Sequence, residues 1–398
     1  MKIFSTFTGI GGFELGIIQA CKRLKLAVPI FVGYSEIDRY AIETYKKHFP
    51  NHINYGDITK IKEKELPDFD MFVGGFPCQA FSIAGKRKGF ADTRGTLFFD
   101  IARILRTKQP RLVLLENVKG LLSHANGDTF KTIVATLDEL GYDLQWQVLN
   151  SKDFGVPQNR ERILIVGHLR ETSRPEVFPI TGNNEEAIFG TVKSTYHKGQ
   201  TTGSYINETA EVGTIRSFKD KKGFRKMQSG ISPAIRARAR EDGDGQPVIR
   251  IRETGDGFHQ YRNDEKRSSI QGTHVTYQSG KTHALSTAHK PMVLVREATK
   301  QGYVEATVGD SINLSVPNSA TPRGRVGRGV AQTLDTGMQQ HTLAPQGGVR
   351  RLTPIECERL QGFPDSWTAG VSDTQRYKML GNAVTVNVIQ AVCERLFL

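Results

Sequence analysis

Apolar positions along the first 170 residues follow two alternating spacings. Short, nearly continuous apolar runs closed by glycine or polar residues predict strands at 2–7, 30–36, 70–76 and 112–115, with later ones at 144–149 and 163–166. Between them, apolar residues recur every three or four positions and predict helices at 13–24, 39–49, 97–106 and 130–140. Pro50 stops the second of these helices, and Gly141 closes the fourth at its C-terminus. In 97–106 the apolar positions are 97, 98, 101, 104 and 105, a single helical face. This βαβα rhythm predicts an α/β fold, a doubly wound, mainly parallel sheet covered by helices on both faces.

Near residue 170 the pattern changes. Residues 171–350 are rich in Gly, Ser, Thr, Arg and Gln, with short strand-like runs such as 247–251 and 292–295. They predict a second, smaller, β- and loop-rich domain. At 350 helical patterning returns. Thr353, Pro354 and Glu356 form a capping box that opens a helix at 354–361, and 384–396 is a final amphipathic helix. The middle region also repeats a short pattern, at 212–217, 232–237, 282–287 and 331–336: a small residue, Ile or Leu, a polar residue, a small residue. It reads as a β-turn unit that builds the domain, with the last copy singled out by its Thr333-Leu334 dipeptide.

Charge sharpens this division. The chain of 398 residues has a net charge of +13, and residues 191–350 carry 24 Lys/Arg against 14 Asp/Glu. A basic middle beside a near-neutral remainder points to a polyanion handled by one domain. The apolar fraction of 38% supports a core and excludes a disordered or fibrous chain. Apolar runs such as 112–115 fall far short of the ~18 residues of a membrane span, and the N-terminus has no long apolar stretch of a secretory signal. Cysteines at 21, 78, 357 and 393 form no C-x-x-C pair, so neither a zinc site nor a disulfide framework is expected, and a reducing, cytoplasmic setting follows. His48 and His52 are four apart, but Pro50 breaks the helix that would align them on a metal.

Candidate chemistry gathers at the predicted strand ends. The turn Gly9-Ile10-Gly11-Gly12 follows a strand and opens a helix, where doubly wound sheets bind cofactors. It is not the dinucleotide fingerprint, because Glu14 stands where the third glycine belongs. Glu36, at the end of the second strand, is placed to accept hydrogen bonds from ribose hydroxyls, and Asp57 to meet an adenine ring. Cys78, in Gly75-Phe76-Pro77-Cys78-Gln79, lies past a strand end near Lys86, Arg87, Lys88 and Arg94, cations that favour the nucleophilic thiolate. Cys21, Cys357 and Cys393 sit in helical patterns and read as buried and inert. Glu116 ends an apolar strand and is either a carboxyl of raised pKa or a sheet-end cap or ion pair. Gln158-Asn159-Arg160-Glu161-Arg162 either aims arginines into the same cleft or is a solvated turn.

Taken together, these motifs resemble the bacterial-type DNA (cytosine-5) methyltransferase family. FTGIGGFELG, Pro77-Cys78, Glu116-Asn117, QNRER, RRLTPIECERLQGFPDSW at 350–367 and Gly381-Asn382-Ala383-Val384 fall in that family's order. The stretch GFPCQAFSIAGKRKGFADTRGTLFFDIARI at 75–104 is especially similar to its catalytic loop and following helix. Residues 1–170 and 350–398 carry the resemblance; 171–350 match only in being long, variable and basic. Asn159 and Ala84 depart from residues common in relatives, and Ala84 puts one serine–DNA contact in doubt.

The resemblance implies a Rossmann-like S-adenosylmethionine-dependent methyltransferase sheet with a target-recognition domain. Residues 1–170 plus 370–398 would form the catalytic and cofactor-binding lobe, and 171–369 the recognition domain and hinge. Phe7, Gly9, Ile10, Gly11, Glu36, Asp57, Pro77, Leu97, Asn382 and Val384 would hold S-adenosylmethionine. Cys78 would attack carbon 6 of a flipped-out cytosine, Glu116 would meet N3, Arg162 would meet O2, and Arg160 would orient Glu116 or a phosphate. Gln79, Ser82, Lys86, Arg87, Lys88, Arg94, Arg323, Arg325, Arg328, Thr333 and Leu334 would touch DNA. The expected partner is double-stranded DNA bound by a monomer, with a restriction endonuclease as a possible companion and no metal. The rivals are an RNA cytosine-5 methyltransferase of the same fold and a non-catalytic DNA-binding relative, which would be expected to lose Cys78 or Glu116.

Overall fold

The computed structural model describes residues 1–77, 97–170, 172, 175–180, 292–297, 302–314, 325–337, 339–345 and 348–398, together with the backbone of strands Glu186–Val192, Glu211–Arg216, Arg225–Lys226, Arg250–Glu253 and Gly257–Gln260. Strand β1 (Lys2–Thr6) lies between β2 (Ile30–Ser35) and β3 (Met71–Gly75), and all three run parallel. Strand β4 (Leu112–Val118) continues parallel to β3. Strand β5 (Tyr142–Asn150) follows, then a two-residue β6 (Gln158–Asn159) and β7 (Glu161–Leu169), which inserts antiparallel between β4 and β5. Because β7 runs backwards, its first residues lie at the same end of the sheet as the last residues of β1 to β4.

Side chains alternate across this sheet as the period of two requires. Phe4, Phe72, Val113, Leu115, Ile163 and Ile165 face helices α3 (Leu97–Lys108) and α4 (Asp128–Glu139) in one core. Ile3, Met71, Val73, Leu112, Leu114, Leu164 and Val166 face α1 (Gly12–Arg23) and the C-terminal helix Val386–Leu396 in another. The sheet is therefore wound on both faces. Gly12 is needed for this packing: a Cβ there would lie 2.7 Å from Val384 Cγ2.

The domain boundaries expected from sequence shift at two places. Strands β8 (Glu186–Val192), β9 (Glu211–Arg216) and β10 (Arg225–Lys226) extend the sheet beyond β5, giving nine strands in the order β10-β9-β8-β5-β7-β4-β3-β1-β2. The texture change at 170 therefore does not end the sheet. At the other end, α5 (Pro354–Leu360) and the following turn pack with the N-terminal segment as well as with Ala331 and Leu334 of the middle region. Leu352, Cys357, Leu360, Phe363 and Trp367 share a core with Ile10, Tyr34, Tyr45 and Phe49, around α2 (Arg39–His48), α6 (Asp373–Asn382) and the start of α7 (Val386–Leu396). Trp367 Nε1 donates to the Ile10 carbonyl at 2.9 Å, and its ring stacks on His48 at 3.5 Å. The capping box of Thr353 and Glu356 forms as the sequence predicts. Two small antiparallel sheets are built from strands between Arg250 and Arg351, and Ala331–Gln332 pairs in parallel with β6.

Candidate active site

The order β2-β1-β3 makes β1 the point where the chain reverses its direction of travel across the sheet, and ligands of such sheets bind beside that switch at the carboxyl ends of the strands. Three features meet there: the turn after β1, the end of β2, and the end of β3 leading into Phe76-Pro77.

In the turn after β1, Phe7, Gly9 and Gly11 all have positive φ, at 52°, 54° and 89°. Gly11 sits at the N-terminal flank of α1, where the left-handed conformation favours glycine. Glu36 Oε2 accepts from the Gly9 amide at 2.8 Å, while Oε1 accepts from the amides of Ile37 (2.7 Å) and Asp38 (2.9 Å). Asn54, which sequence reasoning missed, braces this carboxylate's backbone. Its Oδ1 accepts from the amides of Glu36 (3.3 Å) and Gly56 (2.9 Å), and its Nδ2 donates to the Glu36 carbonyl (3.1 Å). Ser35 Oγ donates to the Gly56 carbonyl at 2.6 Å. Asp57 is thereby brought beside Glu36, but its Oδ1 accepts from Thr59 N (3.0 Å) and Thr59 Oγ1 (2.8 Å), hydrogen bonds that hold its pKa below the usual range. Oδ2 lies 3.7 Å from Lys60. Val384 lies against Gly12, Leu97 is half-buried at the start of α3, and Pro77 and Asn382 are exposed.

The second half of the site stands on β3, β4 and β7. Glu116 pairs in register with Gly75 of β3 and Leu164 of β7. Arg162, diagonal to it across the sheet, places Nε 3.0 Å from Glu116 Oε1. Both side chains are largely buried, with 12% and 16% exposed. Burial raises the Glu116 pKa, and Arg162 and then Arg160 pull it back. Burial likewise lowers the Arg162 pKa, against the opposing pull of Glu116. A carboxyl whose pKa is raised by burial is more readily protonated, and in its acid form it can donate a hydrogen bond. Gly75 leaves room beside it: a Cβ there would lie 3.1 Å from Glu116 Oε2. Asn117, buried, donates from Nδ2 to the Phe76 carbonyl at 2.8 Å and so fixes the path into Pro77. Its partner Glu116 drew attention in the sequence; Asn117 had no role there.

Several sequence expectations change. Arg160 is 2% exposed and donates to the main-chain carbonyls of Leu334, Gly381 and Ala383, so it is out of reach of a phosphate. Leu334 is 1% exposed, in the core with Leu360 and Leu380, and is corrected from a DNA contact to a core residue. Arg325 is 4% exposed and is likewise withdrawn from the DNA surface. Arg328 remains 60% exposed while pairing with Asp310 at 2.8 Å. Thr333 Oγ1 donates to the Asn159 carbonyl at 2.8 Å. Cys78, Gln79, Ser82, Lys86, Arg87, Lys88, Arg94 and Arg323 lie outside the described residues, as do the repeat copies at 232–237 and 282–287. Cys21, Cys357 and Cys393 are buried in helices, and burial raises all three thiol pKa values. No cluster of metal-ligating residues occurs among the described residues, and no helix among them is long and apolar enough to cross a membrane.

Comparison with known proteins agrees with this geometry. The chain is 35% identical to the Type II methyltransferase M.NlaIV of Neisseria lactamica, over 100% of this chain and 98% of the relative. It is 36% identical to the Type II methyltransferase M.BanI of Aneurinibacillus aneurinilyticus, over 100% and 96%. The crystal structure of a DNMT2 protein of Spodoptera frugiperda has a similar fold, with a TM-score of 0.52 at 17% identity, over 100% of this chain and 99% of that one. The profile of the C-5 cytosine-specific DNA methylases matches residues 1–398. The chain belongs to that family, and it is a DNA cytosine-5 methyltransferase.

Proposed function

We propose that this enzyme transfers a methyl group from S-adenosylmethionine to carbon 5 of a cytosine flipped out of a specific duplex DNA sequence. The observation that carries the reading is the Glu116–Arg162 pair, 3.0 Å apart and largely buried, at the strand ends beside the path into Pro77. The donor supplies an electrophilic methyl group on sulfonium. Its adenosyl half would be held at the switch-point cleft: Glu36 would offer carboxylate oxygens to the ribose hydroxyls, Asp57 would meet the adenine amino group, and Val384 and Leu97 would supply apolar walls. Thr8 Oγ1, buried and without a partner among the described residues, adds a polar atom at the turn itself.

The chain's own residues then perform the activation. Carbon 5 of cytosine is too weak a nucleophile alone. The Cys78 thiolate adds to carbon 6, forming a C–S bond and moving the ring's electron pair toward carbon 5. Glu116 in its acid form donates to N3, and Arg162 donates to O2, so charge developing on the ring meets preorganised donors. After carbon 5 has taken the methyl group, its proton passes to water or a base, the C–H electron pair restores the C5–C6 double bond, and the Cys78 thiolate is expelled with the C–S pair. Thr333 and Arg328, with Arg323 and the basic residues after Cys78, are the candidate DNA contacts. The Type II relatives suggest a place in a restriction–modification system, in the cytoplasm of the host cell.

Bisulfite sequencing of plasmid DNA from cells expressing the chain tests the reading. Methylated cytosines in one fixed sequence context are expected, and their absence, or methylation of RNA alone, would overturn it. Cys78→Ser should abolish turnover while retaining DNA binding. DNA carrying 5-fluorocytosine should trap the wild type covalently, because fluorine cannot leave carbon 5 as a proton does.

A further inference from the structure

Arg160 stands two residues before Arg162 but serves a different neighbourhood. Its Nη1 donates to the Leu334 carbonyl at 3.3 Å, and its Nη2 donates to the carbonyls of Gly381 (3.2 Å) and Ala383 (2.7 Å). These acceptors belong to two segments far apart in sequence, one in the recognition region and one at the cofactor cleft. The same short stretch of chain grips both. Ala331–Gln332 pairs in parallel with β6, Thr333 Oγ1 donates to the Asn159 carbonyl, and the Leu334 amide donates to Gln158 Oε1 at 3.0 Å. Gln158 Nε2 in turn donates to the Leu360 carbonyl at 2.8 Å. Where the two segments meet they touch without a side chain between them: a Cβ on Gly381 would lie 2.6 Å from the carbonyl carbon and oxygen of Asp335.

A buried cation held by carbonyl dipoles is costly to disturb, because each lost carbonyl leaves charge without solvation. Burial lowers the Arg160 pKa to about 9, which leaves it charged at neutral pH. The junction also has unused capacity of both signs. Arg160 Nε and Asp335 Oδ1 are buried with no hydrogen-bond partner among the described residues. A small closure of 333–336 onto the arginine therefore has groups ready to receive it.

We propose that Arg160 is a positioning residue that couples the segment 333–336 to the segment 381–384, so that DNA engaging the first orders the second around the methyl donor. The inference rests on the reading above, in which Thr333 faces DNA and Asn382 and Val384 line the donor cleft. Coupling of this kind is reciprocal, so the donor side must tighten DNA by the factor by which DNA tightens the donor side.

The test uses the full chain, S-adenosylhomocysteine as the unreactive probe, and a duplex bearing the sequence found by bisulfite mapping. Calorimetry gives the probe's Kd with and without saturating duplex. Wild type should bind the probe roughly five-fold tighter or more with duplex present. Arg160→Lys keeps the charge and loses the fork, and should bring that factor close to one while changing the duplex-free Kd less than about two-fold. Gly381→Ala, a helix-compatible change that wedges Asp335 away, should do the same and serves if Arg160→Lys folds poorly. Parallel loss of affinity with and without duplex, an undiminished factor in either folded variant, or no coupling in wild type would each overturn the inference. A wild type that methylates DNA but shows any of these results leaves the proposed function standing, whereas failure to methylate removes both.

Discussion

The two ends of the cleft hold carboxylates in opposite ways. Glu36 is tied by three main-chain amides, from Gly9, Ile37 and Asp38, in a turn braced by Asn54. Glu116 has one close cation, Arg162, and sits among apolar strand residues that raise its pKa. The three amides orient the Glu36 oxygens as acceptors, which suits recognition of neutral hydroxyls. Burial raises the Glu116 pKa against the pull of Arg162 and Arg160, which suits a group that must meet a changing charge. One sheet thus separates holding from chemistry by what surrounds each strand end.

The sharpest way to break this contrast is Glu116→Gln. Loss of the ionisable donor should lower the single-turnover methylation rate by about 10²-fold or more. Probe affinity should stay within about two-fold, and a comparable loss of affinity would show that Glu116 belongs to the holding end. Glu14 offers a control in the same protein: a fully buried carboxyl without a cation. It accepts from Ser5 Oγ and from Tyr45 Oη, and burial raises its pKa from 4.5 to about 7. The folded state binds this proton more tightly than the unfolded chain does. The stabilisation is therefore full below pH 4.5 and is lost as pH rises to about 7, by about 3 kcal/mol. Urea unfolding of Glu14→Gln should lose that slope, and an unchanged slope would mean that the carboxyl is already ionised in the fold.

At the holding end, Glu36→Ala should weaken S-adenosylmethionine binding by roughly 1–3 kcal/mol through lost charged hydrogen bonds, with the rate at saturating donor largely kept. Single-turnover kinetics over a donor titration separates the two effects. The finest test is pH. On the proposed mechanism Glu116 acts in its acid form, so the rate should fall as pH rises through its raised pKa. Because Arg162 pulls that pKa down, Arg162→Gln should move the falling limb to higher pH, whatever it does to the maximum rate. A limb that stays in place would separate Arg162 from the titration of Glu116.

Much of this was legible in the sequence, for reasons that also mark its limits. The glycine turn, the capping box at Thr353 and the carboxyl-end position of Glu116 depend on local grammar, and local grammar is readable. Arg162 was placed in the cleft only on condition of topology, and the condition is the antiparallel insertion of β7. Leu334 was drawn from the Thr333-Leu334 dipeptide and Arg325 from its place beside that copy, and neither signal says which side chains turn inward. Asn54 left no signal, since a lone asparagine gains meaning only from the two backbones it joins. The surroundings of α5 were out of reach in the same way: a helical period reports that α5 has an apolar face, not that Ile10, Tyr45 and Leu334 share its core.

The seating of α7 against α1 has a consequence for how the protein comes into being. Phe13 and Ile17 share a core with Val388, Ile389 and Val392, and a Cβ on Gly16 would lie 2.8 Å from Ile389 Cβ. In the order of synthesis, α1 and the glycine turn come before the middle region and their partner α7 after it. The α1 face of the sheet stays bare until α7 has been made, and Gly12 lacks its neighbour Val384 until then. On the proposed reading, in which Val384 walls the donor cleft, the nascent chain would be kept from methylating DNA until the middle region has also been made.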